Sequence, residues 1–182
     1  MQPIPYFGEQ LAGEWLFEPK IDGWRLQILC RERGHVECWG RRLEKEPNWS
    51  RRLPIITKAA EILPEGTLID CELSSTGGRR FIPSLFARKP KVEPLVYVFD
   101  VIFLARQNIS RRPLKKRKQL LAELQLTPPL HPILGQPLFN MKARMREAIA
   151  QGHEGIVIKK SNSVYLIGRD GPIATENWRK VK

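Results

Sequence analysis

Lys20 is the residue of this 182-residue sequence whose neighbours could allow a lysine amine to react as a nucleophile. Lys20 lies in the stretch Glu18-Pro19-Lys20-Ile21-Asp22-Gly23-Trp24-Arg25, between two apolar runs that favour strands. A lysine amine, with an ordinary pKa of about 10.4, becomes a nucleophile when desolvation or a neighbouring cation lowers that pKa. Asp22-Gly23 favours a tight hairpin turn, which would put Lys20 at a strand end facing a cleft, with Arg25 on the partner strand. The two cations could then hold a phosphate; the alternative is a surface hairpin with solvated charges.

Further carboxylates and lysines recur downstream at positions that share a strand face. In Leu68-Ile69-Asp70-Cys71-Glu72-Leu73 the two acidic side chains are two residues apart, so they point the same way from a strand. Taken singly, a strand carboxylate can be a satisfied hydrogen-bonding group, and paired lysines are usually a solvated edge. The remaining candidates are Asp100 within VYVFDVIFL, Glu154 at the start of EGIVIKK, and Lys180 and Lys182, which share a face with Trp178 in WRKVK.

The amino-acid composition limits which binding partners and which cellular compartment the sequence suits. A net charge of +12 suits an anionic partner such as nucleic acid or nucleotide. Cys30, Cys38 and Cys71 are odd in number and lack CxxC spacing, so neither a disulfide framework nor a zinc site is indicated, and a reducing cytoplasm fits best. No apolar run approaches the roughly 20 residues that span a bilayer. We expect a soluble, unexported monomer with one domain over residues 1–182.

Hydrophobic periodicity predicts an α+β fold of antiparallel β-sheets with helices packed outside them. The helices interrupt the strands singly rather than in a regular βαβ alternation, which argues against a parallel sheet. Proline can open the first two helices, and Gly152 ends the third. Turn-forming residues predict loops at 74–94 and 125–140. The predicted strands are 14–19, 24–30, 35–40, 67–73, 95–104, 154–160 and 178–182, and the predicted helices are 54–63, 113–124 and 141–151.

Together and in this order, the segments resemble the covalent nucleotidyltransferase superfamily, and within it the adenylation domain of ATP-dependent DNA ligases. The stretch from Lys20 to Arg25 is similar to the family's KxDGxR nucleophile motif, and Leu68 to Leu73 is similar to its LDGEL element. The likeness spans residues 15–182. The other matching segments are Gly40-Arg41-Arg42 for an SRN-like element, Val98-Phe99-Asp100 with Arg112-Pro113-Leu114-Lys115-Lys116-Arg117 for FD…PLxxR, Glu154 to Lys159 for EGxVxK, and Trp178 to Lys182 for WxKxK.

The resemblance implies a function and a set of roles. It implies an ATP-grasp-like nucleotidyltransferase domain in which Lys20 attacks the α-phosphate of ATP, releases pyrophosphate and holds AMP as a phosphoramidate. AMP would then pass to the 5′-phosphate of a nick in duplex DNA or in an RNA-containing duplex. Glu154 and Glu72 would hold Mg²⁺ or Mn²⁺, since hard cations prefer oxygen ligands. The other implied ATP or AMP contacts are Glu18 at the base edge, Phe99 stacking on adenine, Glu72 at the ribose, and Arg25, Arg41, Lys180 and Lys182 at phosphate.

Two positions and the C-terminus depart from the family pattern. Cys71 stands where glycine is usual, which puts close backbone packing there in doubt. Gly40 stands where serine is usual, which removes a hydroxyl. The family normally continues into an oligonucleotide-binding barrel, and we expect no C-terminal barrel within these 182 residues.

Three other functions stay open on the sequence. An RNA ligase is the closest rival enzyme, and an mRNA-capping guanylyltransferase would prefer GTP. A nucleotide- and nick-binding domain without efficient turnover is the non-catalytic alternative. In each case nucleic-acid binding is expected to be mainly electrostatic, with little base preference. The basic residues predicted to carry it are Arg41, Arg42, Arg51, Arg52, Arg79 and Arg80.

Overall fold

Two β-sheets flanked by helices make up the chain, as a computed structural model describes it over residues 1–32, 34–41, 46–169 and 171–182. The predicted α+β class with mainly antiparallel sheets is confirmed. The strands are β1 (Gln2–Pro5), β2 (Trp15–Pro19), β3 (Trp24–Glu32), β4 (His35–Gly40), β5 (Thr67–Ser75), β6 (Pro94–Leu104), β7 (Gln107–Asn108), β8 (Leu130–Pro132), β9 (Gln136–Pro137), β10 (Ile156–Lys160) and β11 (Ala174–Val181).

The first sheet has the strand order β1-β11-β10-β2-β9. Its pairs are antiparallel except for β1, which runs parallel to β11. In the register, Val157 of β10 lies between Glu18 of β2 and Lys180 of β11. Because side chains alternate across a strand, these three residues share one face of the sheet.

The second sheet has the order β4-β3-β5-β6-β7, and β8 pairs in parallel with β6. Arg25 of β3 lies opposite Glu72 of β5, and Asp70 lies opposite Asp100 of β6. The register of β6 shifts between Val98 and Asp100, so Phe99 is an extra residue in a β-bulge. A bulge shifts the alternation of side chains, so Val96 and Val98 before it and Val101 after it pack into one core, while Phe99 and Ile102 pack into another.

Three helices cover the outer faces of the sheets: α1 (Pro54–Ala60), α2 (Leu114–Glu123) and α3 (Met141–Ala150). All three were predicted, although α1 ends three residues early. Asn140 caps α3 by accepting a hydrogen bond from the Ala143 N–H at 3.0 Å, and Gly152 follows its end at a φ of 83°. Within the described ranges, no helix is long and apolar enough to cross a bilayer.

The Asp22-Gly23 hairpin predicted from the sequence is wrong. β2 belongs to the first sheet and β3 to the second, so the two strands do not pair and Arg25 does not return beside Lys20. Gly23 serves close packing instead, because a Cβ there would overlap the backbone carbonyl oxygen of Leu73. The connection is a crossover between sheets whose close contact with β5 requires glycine.

The predicted loops contain structure that lacked a periodic signal. Residues 74–94 include a 3₁₀ helix at Arg79–Phe86, and residues 125–140 include the short strands β8 and β9. β1 was also missed, and β11 begins at Ala174 rather than at residue 178. A second 3₁₀ turn at Ser50–Arg52 precedes α1.

Each layer of the fold has its own apolar core. The largest lies between the second sheet, α1 and α2, and includes Leu26, Ile28 and Cys71. Cys71, which replaces the usual glycine, is fully buried there, so its side chain is accommodated as core volume. A second cluster between the sheets contains Phe99 and Trp178. The third joins α3 to the first sheet through Ala148, Ile156 and Ile158.

A fully buried ion pair ties α2 to the second sheet. Arg117 donates to both carboxylate oxygens of Asp100, at 2.7 and 2.9 Å, and neither side chain is exposed. The guanidinium also donates to the carbonyl oxygens of Arg112 and Ser163. Planar arginine suits such a forked contact, and this pairing is what the FD…PLxxR spacing produces in the fold.

Removing one partner of the Asp100–Arg117 ion pair should destabilise the folded protein. Asp100→Ala leaves the Arg117 charge buried without its counterion, so we expect the free energy of unfolding to fall by about 3–5 kcal/mol. Urea denaturation measures it. The control is Glu61→Ala, which breaks the exposed Lys58–Glu61 pair and should change stability by about 0.5 kcal/mol or less. Equal effects for the two variants would contradict the assignment.

Candidate functional site

A cavity of about 680 Å³ lies between the two sheets and collects most of the candidate residues. It is lined from the first sheet and the segment after β2, and from β3, β5 and β6 of the second sheet. The lining includes seven of the nine sequence-predicted site residues; the other two, Glu154 and Lys182, form a charged contact with each other beside Lys20. The predicted residues that line it are Glu18, Lys20, Arg25, Arg41, Glu72, Phe99 and Lys180.

Lys20 is held at the end of β2 by its own backbone. Its N–H donates to the carbonyl oxygen of Gly155 at 2.9 Å, continuing the antiparallel pairing of β2 with β10. Gly155 adopts a φ of 144°, and a Cβ there would overlap the carbonyl oxygen of Val181. Glycine is therefore required beside Glu154 for β10 and β11 to approach. The backbone thus delivers the lysine to the carboxylate.

The amine of Lys20 is hydrogen-bonded to the carboxylate of Glu154. Lys182 Nζ lies 3.4 Å from the same carboxylate oxygen. The hydrogen bond from Lys20, followed by the charges of both lysines, lowers the pKa of Glu154. Residues that are far apart in the sequence therefore form one charged group at the cavity.

Arg25 is oriented by Asp70, and Tyr165, a residue that the sequence did not single out, holds Asp70 in turn. The Arg25 guanidinium forks onto Asp70, whose carboxylate also accepts a hydrogen bond from the Tyr165 hydroxyl at 2.5 Å. The guanidinium carbon lies 4.6 Å from the centroid of the Phe99 ring. Arg25 thus faces the cavity with part of its donor set already used by Asp70.

Glu72 lies in the cavity across from Arg25 on the neighbouring strand. Burial raises the pKa of Glu72 to about 7, against the opposing effect of Arg25. A carboxyl group with such a pKa changes its charge near neutrality. It can act as an acceptor or, when protonated, as a donor toward a hydroxyl group.

A buried carboxylate, Glu18, lies between two lysines. Lys118 Nζ and Lys159 Nζ each lie 2.6 Å from one of its oxygens. Lys118 reaches in from α2 and also donates to the carbonyl oxygens of Phe99 and Ile133, each at 2.6 Å. The pairing compensates the burial of the Glu18 charge.

Lys159 is a cavity residue that the sequence reasoning left out of its site set. Its Nζ lies 4.5 Å from the Phe99 ring centroid and 4.0 Å from that of Trp178. Burial lowers the pKa of Lys159 to about 8. The signal was available, because alternation along β10 puts Lys159 on the same face as Val157. Lys118 carried no such signal, since it sits in a helix and its partner is distant.

The basic residues predicted to bind nucleic acid are mostly exposed. Arg41 lines the cavity, with its guanidinium donating to Gln2 Oε1 at 2.6 Å. Arg79 pairs with Asp22 at 2.9 Å. Arg51, Arg52 and Arg80 are exposed, and Arg42 lies outside the described residues.

The candidate metal ligands do not form a closed metal cage. Among the residues that the structure describes, no three His, Cys, Asp or Glu side chains cluster as a metal site. A magnesium ion, however, usually takes one or two protein carboxylates and completes its shell with water and substrate phosphates. Glu154, in reach of Lys20, and Glu72, in the cavity, are compatible with that mode of binding.

Comparison with known proteins agrees with this architecture. A family model described as ATP dependent DNA ligase domain matches residues 4–182. The DNA ligase of Thermococcus fumicolans is 29% identical over 194 residues, covering 95% of this chain and 33% of that protein. The SPbeta prophage-derived DNA ligase-like protein LigB of Bacillus subtilis is 31% identical over 177 residues, covering 92% of this chain and 60% of LigB. The chain therefore spans a third to three fifths of these relatives.

Solved structures share the fold at low sequence identity. The mycobacterial DNA ligase D complexed with ATP and MES superposes with a TM-score of 0.73 at 22% identity, over 98% of this chain and 58% of that one. The Chlorella virus DNA ligase-adenylate gives a TM-score of 0.64 at 18% identity, over 96% of this chain and 68% of the other.

Because the pKa of Glu72 is raised in the folded protein, the stability of the fold should depend on pH. Between the ordinary value of 4.5 and about 7, the folded protein keeps a proton on Glu72 that the unfolded chain releases. Stability should therefore fall as pH rises through this window, by at most about 1.4 kcal/mol per pH unit. Glu72→Gln removes that contribution, so the variant should gain stability relative to the unaltered protein from pH 5 to pH 8.

Urea denaturation in metal-free buffer at several pH values measures this difference. The control is Glu123→Gln, which changes an exposed carboxylate on α2. A constant offset between Glu72→Gln and the unaltered protein across the window would show that the carboxyl titrates at its ordinary pKa.

Proposed function

Because the chain belongs to the ATP-dependent DNA ligase domain family, we propose that it carries out the adenylation chemistry of such a ligase. Lys20 becomes linked to AMP, and AMP then passes to the 5′-phosphate at a nick. The single observation that carries the proposal is the amine of Lys20, paired with Glu154 at a cavity lined by basic and aromatic side chains.

The first step forms a bond between Lys20 Nζ and the α-phosphorus of ATP. The bond from that phosphorus to pyrophosphate breaks, and the amine loses its proton. Negative charge grows on the phosphate oxygens during this step, so fixed cations beside the cavity lower the barrier. Lys180 and Arg25 line the cavity, and Lys182 lies beside Glu154.

Aromatic and charged groups support a nucleobase site beside these cations. The Phe99 and Trp178 rings meet edge to face at a centroid distance of 6.1 Å, and both line the cavity. Glu18 supplies carboxylate oxygens that can accept from the adenine amino group. Glu72 offers an acceptor for ribose hydroxyls.

Glu154, with Glu72, would hold a divalent cation such as Mg²⁺ or Mn²⁺. The cation, when bound, neutralises charge on the phosphates. The Glu154 carboxylate accepts a hydrogen bond from the Lys20 amine. This carboxylate keeps the lysine at the cavity, and the lysine must shed its proton before it can attack.

Nicked duplex DNA is the proposed acceptor. The chain carries a net charge of +12, and its exposed arginines include Arg41, Arg51, Arg52, Arg79 and Arg80. Such residues bind phosphates by releasing counterions. An RNA ligase differs from this proposal only in its acceptor strand, so sealing assays on matched DNA and RNA nicks separate the two.

The three cysteines are free and buried, which supports a reducing cytoplasm as the compartment of the protein.

Lys20→Ala should abolish covalent labelling by α-labelled ATP in Mg²⁺, because the acceptor nitrogen is lost. The fold should persist, since Lys20 is a half-buried residue at a strand end and Lys182 remains near Glu154. Lys116→Ala, on the exposed side of α2, is the control and should label normally. Label on the Lys20→Ala protein would contradict the assignment of Lys20 as the residue that becomes linked to AMP. If the unaltered protein binds DNA but is not labelled, the result favours the non-catalytic alternative.

Glu154→Ala should slow enzyme-AMP formation by a factor on the order of 10² or more, by analogy with other lost electrostatic stabilisers. Equilibrium binding of ATP should change much less, because the carboxylate acts on charge that develops in the reaction. Glu154→Gln, which keeps the shape but not the charge, should be nearly as slow. Single-turnover labelling over a range of Mg²⁺ concentrations measures both variants. Near-normal rates would mean that Glu154 is structural.

A further inference from the structure

We propose that three aromatic residues beside the cavity form a stacking platform for a base at the broken strand end, with Trp49 as its contact residue. The cluster consists of Trp24 on β3, Trp49 after β4 and Phe86 at the end of the 3₁₀ helix Arg79–Phe86. This inference rests on the proposed function, because it assumes a nucleic-acid substrate.

The cluster is separate from the aromatic pair formed by Phe99 and Trp178. Trp24 and Arg25 are consecutive on β3 and so point to opposite faces of the sheet. Arg25 lies against Phe99, whereas Trp24 lies 6.0 Å from both Trp49 and Phe86. Trp24 and Trp49 nevertheless line the same cavity as Lys20. The cavity therefore has two aromatic walls, and a single adenine can occupy one of them.

Trp49 can lie where it does because residue 40 is glycine. A Cβ at Gly40 would overlap the six-membered ring of Trp49, so a residue with a side chain there would displace the indole. The backbone of Trp49 donates to the Cys38 carbonyl oxygen at 2.7 Å, and the Gly40 N–H donates to that of Pro47 at 2.7 Å. An indole fixed in this way loses little conformational entropy on binding.

The surroundings of the cluster suit a polyanion. Arg52 stacks over Phe86, with the guanidinium carbon 4.7 Å from the ring centroid. Arg41 lines the cavity as well, next to Gly40 in the chain. Aromatic faces flanked by arginines are the combination with which proteins bind unpaired bases, because the ring stacks and the cations hold the backbone. The terminal base at a nick lacks a phosphodiester bond on one side, so it can leave the stack at a lower cost than a base within an intact strand.

A salt series on nicked duplex without ATP tests the platform. Trp49→Ala should weaken binding by about 5- to 150-fold, the range for loss of one stacked base. The weakening should be the same at every salt concentration, because no phosphate contact is lost. Arg51→Gln should instead reduce the slope of log affinity against log salt by about 0.9. Trp15→Ala, at the far end of β2 from Lys20, is the aromatic control and should have no effect on DNA affinity.

An abasic scan keeps the inference testable even if Trp49→Ala folds poorly. Single abasic sites placed on either side of the nick should weaken binding to the unaltered protein at one position. That loss should be smaller for Trp49→Phe and absent for Trp49→Ala. The inference is overturned if no abasic position matters, or if Trp49→Ala binds nicked duplex as well as Trp15→Ala. It is also overturned if Trp49→Ala weakens ATP binding but not DNA binding.

Covalent labelling of the unaltered protein decides the proposed function separately. Labelling with no abasic effect overturns only the stacking platform. An abasic effect without labelling supports the platform and overturns the proposed adenylation activity.

Discussion

The antiparallel pairing of β2 with β10 is the interaction on which the site depends. It brings the Lys20 N–H to the Gly155 carbonyl and thereby the lysine amine to Glu154, 134 residues later in the chain. β11 pairs with the other edge of β10, and this second pairing places Lys180 opposite Val157, on the face that Glu18 shares. A slip of one residue would turn these side chains away from the cavity toward α3. The register of this strand pair therefore determines whether the Lys20 side chain reaches the cavity.

Buried charge is the second constraint on the molecule. Glu18, Asp70 and Asp100 are almost fully buried, and each is neutralised by a cation. An unpaired charge in these places would cost several kcal/mol, so the partners must meet. Asp70 and Asp100 lie opposite each other on β5 and β6, yet their partners come from different elements. These pairs fix how β3, α2 and the two sheets come together around the cavity.

The sequence predicted the long strands and all three helices because each carries a clear periodic pattern of apolar residues. It missed β1, β7, β8 and β9, which are too short for alternation to appear in them, and β1, β8 and β9 also contain proline. The Asp22-Gly23 prediction failed for a different reason. A turn-forming dipeptide indicates a reversal of the chain but says nothing about which strands pair, and here glycine is needed for contact with Leu73.

The residue types and their order along the chain determined by themselves which chemistry to expect: a lysine nucleophile, carboxylates, an aromatic ring and paired lysines. Only the tertiary structure decided that Asp70 holds Arg25, that Lys159 joins Glu18 beside Phe99, and that Gly40 makes room for Trp49. Side-chain chemistry is a property of each residue and survives in the sequence. Partners and burial arise from contacts between distant segments, and the bulge at Phe99, which changes the faces that Val101 and Ile102 take, leaves no trace in the continuous apolar run of β6.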